Sequence, residues 1–356
     1  MVDMPFGVSR LDSMLDGGVP TGSVVLLATE PGAGGRKFAQ TSAAMNALAT
    51  TDNEAFERHY RGIDHDGVIV PASVHYLSVA ATTDSLEAAL TETVSGEIAE
   101  RAAAGITYHD LSATYFDATD VPAAWYQDSD ESPSLPPDPT VDDATDPADN
   151  PDDAVNSETA DPFDYGDATA TLPSDDAGDS TTAGDATTTT ASNSDNDTVD
   201  TDTSSRAAVG SDDPAATDSP AILSALRASL DDAAGGNLVV IDAITDLDDL
   251  PDDVVSWAAV VRLLRGLTRM VTARGGLVLV VADAEAVTDA QLGSLSAATT
   301  GTLSFAWETG GSQRARLLSI RELPGALGRL DRDEIAAFES ELHDRGYDLS
   351  NVRKIR

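Results

Sequence analysis

The chain has 356 residues, which is enough to bury one large hydrophobic core or two smaller ones. It carries 62 acidic and 21 basic residues, and it has no cysteine, which excludes a disulfide framework, a thiol nucleophile and a thiolate metal site. The first residues, "MVDMPFGVSR", lack a basic region followed by an apolar one, and the longest apolar runs are strand-sized, so a cytoplasmic protein without membrane segments is expected.

The charge is unevenly distributed along the chain. Residues 128–220 contain 25 acidic residues and one basic residue, which leaves 37 acidic (62 − 25) and 20 basic (21 − 1) residues elsewhere. Only Lys37 and Lys354 are lysines. This composition resembles that of proteins from salt-accumulating halophilic archaea, where dense carboxylates keep a protein hydrated while salt screens charge repulsion. A mesophilic protein with an acidic tract would explain the tract but not the scarcity of lysine.

Residues 1–126 are predicted to form the N-terminal part of an α/β core. "SVVLLA" and "VHYLSV" have the continuous apolar character of buried strands, and a helix is expected between them from Arg36 to about Thr50. An alanine-rich helix beginning near Ser85 precedes a third strand candidate, "ITYHDLSATYF". This part of the chain therefore alternates strands with helices.

Residues 127–219 have a different composition. They are mostly Asp, Thr, Ser, Ala, Pro and Gly, with almost no large apolar residue. Such a segment cannot bury enough apolar surface to offset the entropy of ordering its backbone. It is predicted to be a long disordered acidic insert that interrupts one domain and acts as a solubilising spacer.

Residues 220–325 are predicted to complete the core. Apolar residues of "AILSALRASLDDA" fall on one helical face, "GNLVVIDAITDL" is a buried strand ending in a carboxylate, and a long amphipathic helix is expected from about Pro251 to Ala273. "GLVLVVADA", "GTLSFAWE" and "RARLLSIREL" are further strand candidates, and 326–356 is predicted as a C-terminal helical segment with a basic tail. Continuous apolar strands alternating with helices indicate a mostly parallel sheet with helices on both faces.

Residues 28–37, "ATEPGAGGRK", have the outline of a phosphate-binding loop. Such a loop follows a strand, directs backbone N–H groups at anionic oxygens and leads into a helix N-terminus. Against G-x-x-x-x-G-K-[ST], Gly35 stands at the lysine position and Arg36 at the hydroxyl position that would bind Mg²⁺. The residues predicted to contact a bound nucleotide are Gly32, Ala33, Gly34, Gly35, Arg36 and Lys37.

The two basic residues of the loop are not equivalent replacements for the missing side chains. Lys37 lies two positions further along the helix, a rotation of about 200°, so its side chain should point away from the phosphate site. Arg36 has no acceptor to offer to a metal, although a guanidinium can contact a phosphate.

The segment before this loop, "FGVSRLDSMLDGGVPTGSVVLL", resembles the corresponding segment of the KaiC and RadA branch of RecA-like ATPases. The matching residues are Gly7, Leu11, Asp12, Leu15, Gly17, Gly18, Pro20, Gly22 and Ser23. The resemblance extends to "GNLVVIDAITDL", which is similar to the Walker B strand, and to "RLLRGLTRMVTARGGLVLVVAD". It implies a RecA-like P-loop NTPase core, ATP or ADP bound with Mg²⁺, and Asp242 as the residue that holds the metal; a turn-capping carboxylate is the alternative role for Asp242.

Within this family, the sequence resembles a haloarchaeal KaiC-like group. It departs from the family at the catalytic positions. After the second strand, where hydrolytic members carry glutamate, it has Ala80, Ala81 and Thr82, none of which can act as a base. The late Lys-x-Arg pair of the family corresponds to Glu322 and Pro324. No catalytic residue is therefore predicted, because phosphoryl transfer depends on groups that position and stabilise charge.

The leading hypothesis from the sequence is a pseudoenzyme with a degraded ATPase site, acting as a nucleotide-binding or structural regulatory protein in signal transduction. The alternative is an active ATPase in signalling or DNA recombination and repair. Two alternatives remain for the loop at this stage: it binds ATP or ADP, or it binds no nucleotide. An unidentified protein partner and a homo-oligomer are expected, whereas nucleic acid is not, because phosphate contacts need clustered basic residues.

Overall fold

The computed structural model describes residues 2–59, 67–127, 220–308, 315–323, 325 and 337–353. The predicted acidic insert therefore lies outside the described residues, except for Gln127, and so do Pro324, Lys354 and the end of the basic tail. Within these ranges, none of the helices combines the length and the hydrophobicity that crossing a bilayer requires.

The strands and helices alternate through most of the described chain. In chain order, the described strands are β1 (Asp3–Met4), β2 (Val19–Pro20), β3 (Ser23–Thr29), β4 (Val74–Ser78), β5 (Ile106–Asp110), β6 (Leu238–Asp242), β7 (Leu277–Asp283), β8 (Gly301–Trp307), β9 (Arg316–Glu322), β10 (Ala337–His343) and β11 (Gly346–Arg353). The described α-helices are α1 (Ser9–Met14), α2 (Gly35–Thr51), α3 (Asn53–His59), α4 (Thr83–Thr93), α5 (Gly96–Ala103), α6 (Ser112–Phe116), α7 (Ala221–Ala233), α8 (Trp257–Arg274) and α9 (Asp289–Ser296).

Nine of the described strands form one sheet. Its order is β11-β10-β9-β8-β3-β7-β6-β4-β5. The six strands from β8 to β5 are parallel to one another, whereas β9, β10 and β11 extend the sheet by antiparallel pairing. β3, which precedes the phosphate loop, is central and pairs with β7 and β8, so it is buried on both faces.

A hydrophobic core covers each face of the sheet. Val25 and Leu27 of β3 point into one core with helices α2, α4 and α5, and Val24 and Leu26 point into the other with α7 and α8. This alternation follows from the period of two in a strand. The prediction of an α/β fold with a mostly parallel sheet and helices on both faces is confirmed.

Three element boundaries differ from the predictions. In "ITYHDLSATYF" only Ile106–Asp110 is a strand, and Ser112–Phe116 is a helix that begins after Asp110 accepts hydrogen bonds from the backbone and hydroxyl of Ser112. The helix expected from Pro251 begins at Trp257, because the chain first makes turns stabilised by the carbonyl of Pro251.

The third difference concerns the C-terminal region. The prediction of a helical segment over 326–356 is wrong for the part that the structure describes, in which β10 and β11 form an antiparallel hairpin. Tyr347 and Leu349 alternate with more exposed neighbours and are buried, which is the pattern of a strand. Gly346 closes the turn with a positive φ of 97°, a conformation that glycine adopts without strain.

Candidate nucleotide site

The predicted strand, loop and helix are present in the predicted order. β3 ends at Thr29, α2 begins at Gly35, and the intervening loop has positive φ at Gly32 (73°) and Gly34 (112°). Two loop N–H groups are used within the loop itself: that of Ala33 donates to the carbonyl of Glu30 at 3.0 Å, and that of Gly35 donates to Oγ1 of Thr29 at 3.3 Å. The loop therefore has the shape of a phosphate cradle, with part of its donor capacity already satisfied.

The pair formed by Thr29 and Gly35 explains why no side chain can stand at the lysine position. A Cβ atom on Gly35 would lie 2.7 Å from Cβ of Thr29 and 3.2 Å from the ring of Phe305. In the motif the first residue is glycine and the seventh is lysine, whereas here the first is threonine and the seventh is glycine. The first position of the motif therefore carries a side chain here and the seventh carries none. Thr29 fills the space that a lysine stem at position 35 would need.

Arg36 forms an ion pair with the carboxylate at the end of β6. Its Nε atom lies 2.8 Å from Oδ1 of Asp242, and the hydroxyl of Tyr76 donates to Oδ2 of the same carboxylate, also at 2.8 Å. Asp242 is 7% exposed and both of its oxygens have protein donors, whereas the side chain of Arg36 is 48% exposed, so solvent reaches the outer side of the ion pair. Burial is the largest single effect on the pKa of Arg36 and would lower it, but the charge and hydrogen bond of Asp242, together with the charge of Asp246, raise the pKa above the usual value.

These residues do not fit a magnesium ion. Magnesium requires oxygen ligands in a near-octahedral arrangement, and a guanidinium offers none. Asp242 already accepts from Arg36 and Tyr76. The arrangement instead gives a fixed positive charge, supplied by the chain, beside Asp242.

A second carboxylate lies near this ion pair. Burial raises the pKa of Asp246 to about 6, with Arg36 opposing the rise and Asp242 adding to it. Burial also raises the pKa of the Tyr76 hydroxyl well above its usual value, and the charge of Asp242 adds to the effect, so this group remains a donor to Asp242. Tyr76 and Asp246 were not among the predicted site residues. Tyr76 lies on β4, which was predicted as a strand, whereas Asp246 lies in a short 3-10 helix, Ile244–Asp249, that was not predicted.

Lys37 points away from the loop, as the rotation of the helix predicts. Its Nζ lies 3.7 Å from Oε2 of Glu92 on the neighbouring helix α4. The positions after β4 are also occupied structurally: Thr82 caps α4 by accepting a hydrogen bond from the backbone of Ser85. Neither Lys37 nor Thr82 is therefore placed to assist a reaction at the loop.

Side chains from the C-terminal strands cover the outer side of the loop. Arg316 donates from Nε to the carbonyl of Gly32 at 3.0 Å, and its guanidinium lies 5.0 Å from the ring centroid of Trp307. Trp307 in turn donates from its indole to the carbonyl of Pro31 at 2.9 Å. Tyr347 is 2% exposed, and its ring would be 2.9 Å from a Cβ atom on Gly34.

The contacts of these three side chains with the loop were not predicted from the sequence. Arg316 and Trp307 were placed on predicted strands without a role, and Tyr347 lay in a segment that was predicted to be helical. Glu322 lies at the opposite end of β9 from Arg316, where it pairs with Thr302, and Arg321 beside it is exposed. Pro324 lies outside the described residues.

The N-terminal segment that resembles the family has a structural role. Both carboxylate oxygens of Asp12 accept backbone hydrogen bonds, from Phe6 at 2.7 Å and from Gly7 at 2.9 Å. A Cβ atom on Gly18 would lie 2.2 Å from the carbonyl oxygen of Met4, so only glycine fits there. The hydroxyl of Ser23 donates to the carbonyl of Pro20 at 2.6 Å. The residues that match the family motif thus fix the path of the chain into β3. Their roles are structural and do not indicate what the loop binds or catalyses.

Comparison with known proteins gives structural neighbours only. No protein-family model matches the sequence, and no curated protein matches it. The chain is similar to the flagellar accessory protein FlaH from Methanocaldococcus jannaschii, with 11% identity and a TM-score of 0.48 over 96% of this chain and 95% of that one. It is also similar to a KaiC-like protein from the hyperthermophilic archaeon Pyrococcus horikoshii OT3, with 11% identity and a TM-score of 0.48 over 98% of each chain. At this identity no activity is transferred to this chain.

Proposed function

We propose that this protein is a KaiC/RadA-like pseudoenzyme of the RecA fold, which regulates a protein partner in the cytoplasm and does not hydrolyse ATP. The ion pair between Arg36 and Asp242 carries this proposal, because it places a permanent cation on the carboxylate that would otherwise hold magnesium. The motif positions that would supply a lysine and a metal-binding hydroxyl hold Gly35 and Arg36.

The guanidinium of Arg36 supports a structural role for the loop. It ties the first turn of α2 to the end of β6, two elements that a nucleotide and its metal bridge in active P-loop proteins. A buried carboxylate without a partner would be costly, so Arg36 stabilises the loop in the absence of any ligand. The loop is therefore held in its folded shape by the chain alone, and a nucleotide would have to compete with these contacts.

The first test is a titration with ATP and ADP, with and without magnesium, followed by a hydrolysis assay on the same samples. We expect no magnesium-dependent hydrolysis, and any binding of ATP should be equally strong with and without the metal. About 2–3 M KCl is the appropriate medium, because the acidic surface is then screened within a few ångströms.

The control variants are Asp242→Asn and Gly34→Asp. Asp242→Asn retains the shape of the side chain and removes its charge, and Gly34→Asp places a bulky anion in the loop. Magnesium-dependent turnover by the unmodified protein that Asp242→Asn abolishes would establish an active ATPase and overturn the proposal. Saturable nucleotide binding that Gly34→Asp abolishes, without turnover, would identify the loop as a nucleotide sensor within the proposed regulatory role.

A further inference from the structure

Helices α7 and α8 leave a groove between them on the sheet face opposite to α2. The groove has a volume of about 670 Å³. Apolar side chains such as Leu223, Leu263 and Met270 line it. Its charged lining residues are Arg227, Arg262, Arg274 and Asp231, of which Arg274 and Asp231 lie 3.9 Å apart, so the arginines outnumber the carboxylate. It therefore combines apolar surface with positive charge, at a distance from the nucleotide loop in the fold.

The charge of α8 is unusual for this chain. Its sequence, "WAAVVRLLRGLTRMVTAR", has no acidic residue, whereas the protein as a whole has 62 acidic and 21 basic residues. Arg262, Arg265 and Arg269 are exposed, and they form no ion pair with any residue in the part of the chain that the structure describes. Because these arginines have no carboxylate partner within the described chain, they give this face of α8 a positive charge that carboxylates from outside the described residues can complement.

Gly266 is a second, independent observation in the same groove. It lies in the interior of α8, where glycine costs about 1 kcal/mol relative to alanine. Its φ is not positive, and outside its own helix no described atom lies within 4 Å of the position a Cβ would take. Nothing within the described chain therefore requires glycine here, whereas close approach of another backbone would.

We infer that the groove between α7 and α8 binds an acidic amphipathic helix of a partner protein. The apolar side of that helix would contact Leu263 and Met270, and its backbone would approach at Gly266. Its carboxylates would pair with Arg262, which lines the groove, and with Arg269, which is exposed outside the lining about two turns further along α8. A nucleic acid fits this surface less well, because its phosphate backbone offers no apolar face to cover the leucine and methionine side chains that line the groove. This inference is independent of the proposed function, because the groove shares no residue with the nucleotide loop.

The test measures binding of two synthetic helices to the full-length protein by fluorescence anisotropy. One labelled helix has leucine at i, i+3, i+4 and i+7 and glutamate elsewhere, and the other has lysine in place of each glutamate. We expect the glutamate helix to bind and the lysine helix not to bind. The variants Gly266→Leu and Arg262→Glu/Arg269→Glu should each weaken binding of the glutamate helix by at least about tenfold.

Matched controls separate docking from folding. Gly293→Leu makes the same substitution at an exposed helical glycine of α9 with no described atom within 4 Å, and it should leave binding unchanged. Gly266→Leu should not lower the midpoint of thermal unfolding, because leucine is the better helix former.

Four results would overturn the inference. The glutamate helix could fail to bind at concentrations up to about 1 mM, or both helices could bind equally with no effect of the groove variants. A DNA duplex could bind instead and lose affinity in the arginine variant, which would make the surface a nucleic-acid site. Self-association that Gly266→Leu abolishes, measured by sedimentation, would show that a second copy of the chain occupies the groove.

Discussion

Two side-chain exchanges distinguish this loop from a working phosphate loop, and they have different consequences. The exchange at Arg36 adds a cation that pairs with Asp242. The exchange at Thr29 and Gly35 moves bulk from one side of the loop to the other. The first exchange changes the electrostatics of the site and the second changes its packing, so they can be tested separately.

The exchange of side-chain bulk between Thr29 and Gly35 predicts that substitutions at these two positions have strongly coupled effects on stability. Gly35→Lys alone should destabilise the fold by about 1–3 kcal/mol, because its Cβ would lie 2.7 Å from that of Thr29. In the double variant Thr29→Gly/Gly35→Lys the overlap is relieved, and the loss should be smaller than the sum of the two single losses by at least about 1 kcal/mol. Denaturant unfolding of the four proteins measures this coupling.

Gly293→Lys is the matched control for this cycle. It introduces the same side chain at a helical glycine that faces open space, so we expect no loss of stability. Additive effects at positions 29 and 35, or an equal loss at position 293, would show that the two loop residues do not compete for one space.

The partly buried carboxylate of Asp246 predicts a pH dependence of stability. Its pKa is raised to about 6 in the folded protein, above the unfolded value of 3.8. A raised pKa means that Asp246 favours the folded state when protonated, and that this contribution is lost as the pH rises through 6. Asp246→Asn should therefore stabilise the protein near neutral pH, and its advantage should grow by up to about 1 kcal/mol between pH 5 and pH 7.

Chemical denaturation of both proteins at several pH values measures this difference. The salt concentration is held constant, because the charge of Arg36 opposes the shift and is itself screened by salt. An advantage of Asp246→Asn that is the same at pH 5 and pH 7 would contradict the assignment of the titration to Asp246.

At the scale of elements, the C-terminal hairpin determines how open the loop is. The ring of Tyr347 packs against those of Phe38 and Phe305, with centroids 5.6 and 5.9 Å away, and it reaches Gly34. The backbone N–H of Tyr347 also donates to Oγ1 of Thr41 on α2, at 2.8 Å. The hairpin is thus joined to the helix that follows the loop, through aromatic packing and a buried hydrogen bond.

This packing predicts that Tyr347→Ala loosens the loop from the outside. The variant should lose about 3–4 kcal/mol of stability, as expected for removing a buried aromatic ring. Amide hydrogen exchange in residues 28–37 should increase in Tyr347→Ala, because local opening becomes easier. Tyr347→Phe retains the ring and should leave exchange in the loop unchanged. Unaltered exchange in both variants would show that the hairpin does not restrain the loop.

The elements that could be predicted from the sequence are those whose signal is local. Continuous apolar runs identified β3, β6 and β7, and glycine spacing identified the loop. The contact between Arg36 and Asp242 joins residues 206 positions apart, and it depends on where α2 ends up relative to β6. The sequence showed that Gly35 replaces lysine, but only the folded structure shows that Thr29 fills the space.

The hairpin was missed for a physical reason as well. The segment around Tyr347 carries many charged residues, which weakens the contrast between its buried and exposed positions. Its alternation of Tyr347 and Leu349 with polar residues, next to Gly346, was the available signal for a strand and turn. That signal competes with the helical propensity of "RDEIAAFESEL", which favoured the wrong element.

At the scale of the whole molecule, the net charge of −41 sets the conditions under which the fold is stable. Mutual repulsion of carboxylates destabilises a compact state and is weakened by salt. Some ion pairs of the described surface lie within single helices, such as Arg58 with Glu54, and others join two elements, such as Lys37 with Glu92. Together they neutralise only part of this charge. Salt should therefore stabilise the folded protein, in contrast to its effect on a protein held together by surface ion pairs.

The corresponding prediction is a rise in the free energy of unfolding with KCl concentration. The rise should be steepest below about 1 M, where the Debye length falls to about 3 Å, and should flatten above it. Replacing exposed carboxylates that have no ion pair within the described chain, for example in Glu100→Gln/Asp252→Asn/Asp253→Asn, should raise stability at low KCl and leave it unchanged at high KCl. Urea unfolding of the two proteins across a KCl series measures both curves, because urea adds no ions. If the curves stay parallel at all salt concentrations, stabilisation by KCl does not arise from screening of these carboxylates, and the preferential exclusion of salt from the protein surface becomes the physical cause to examine.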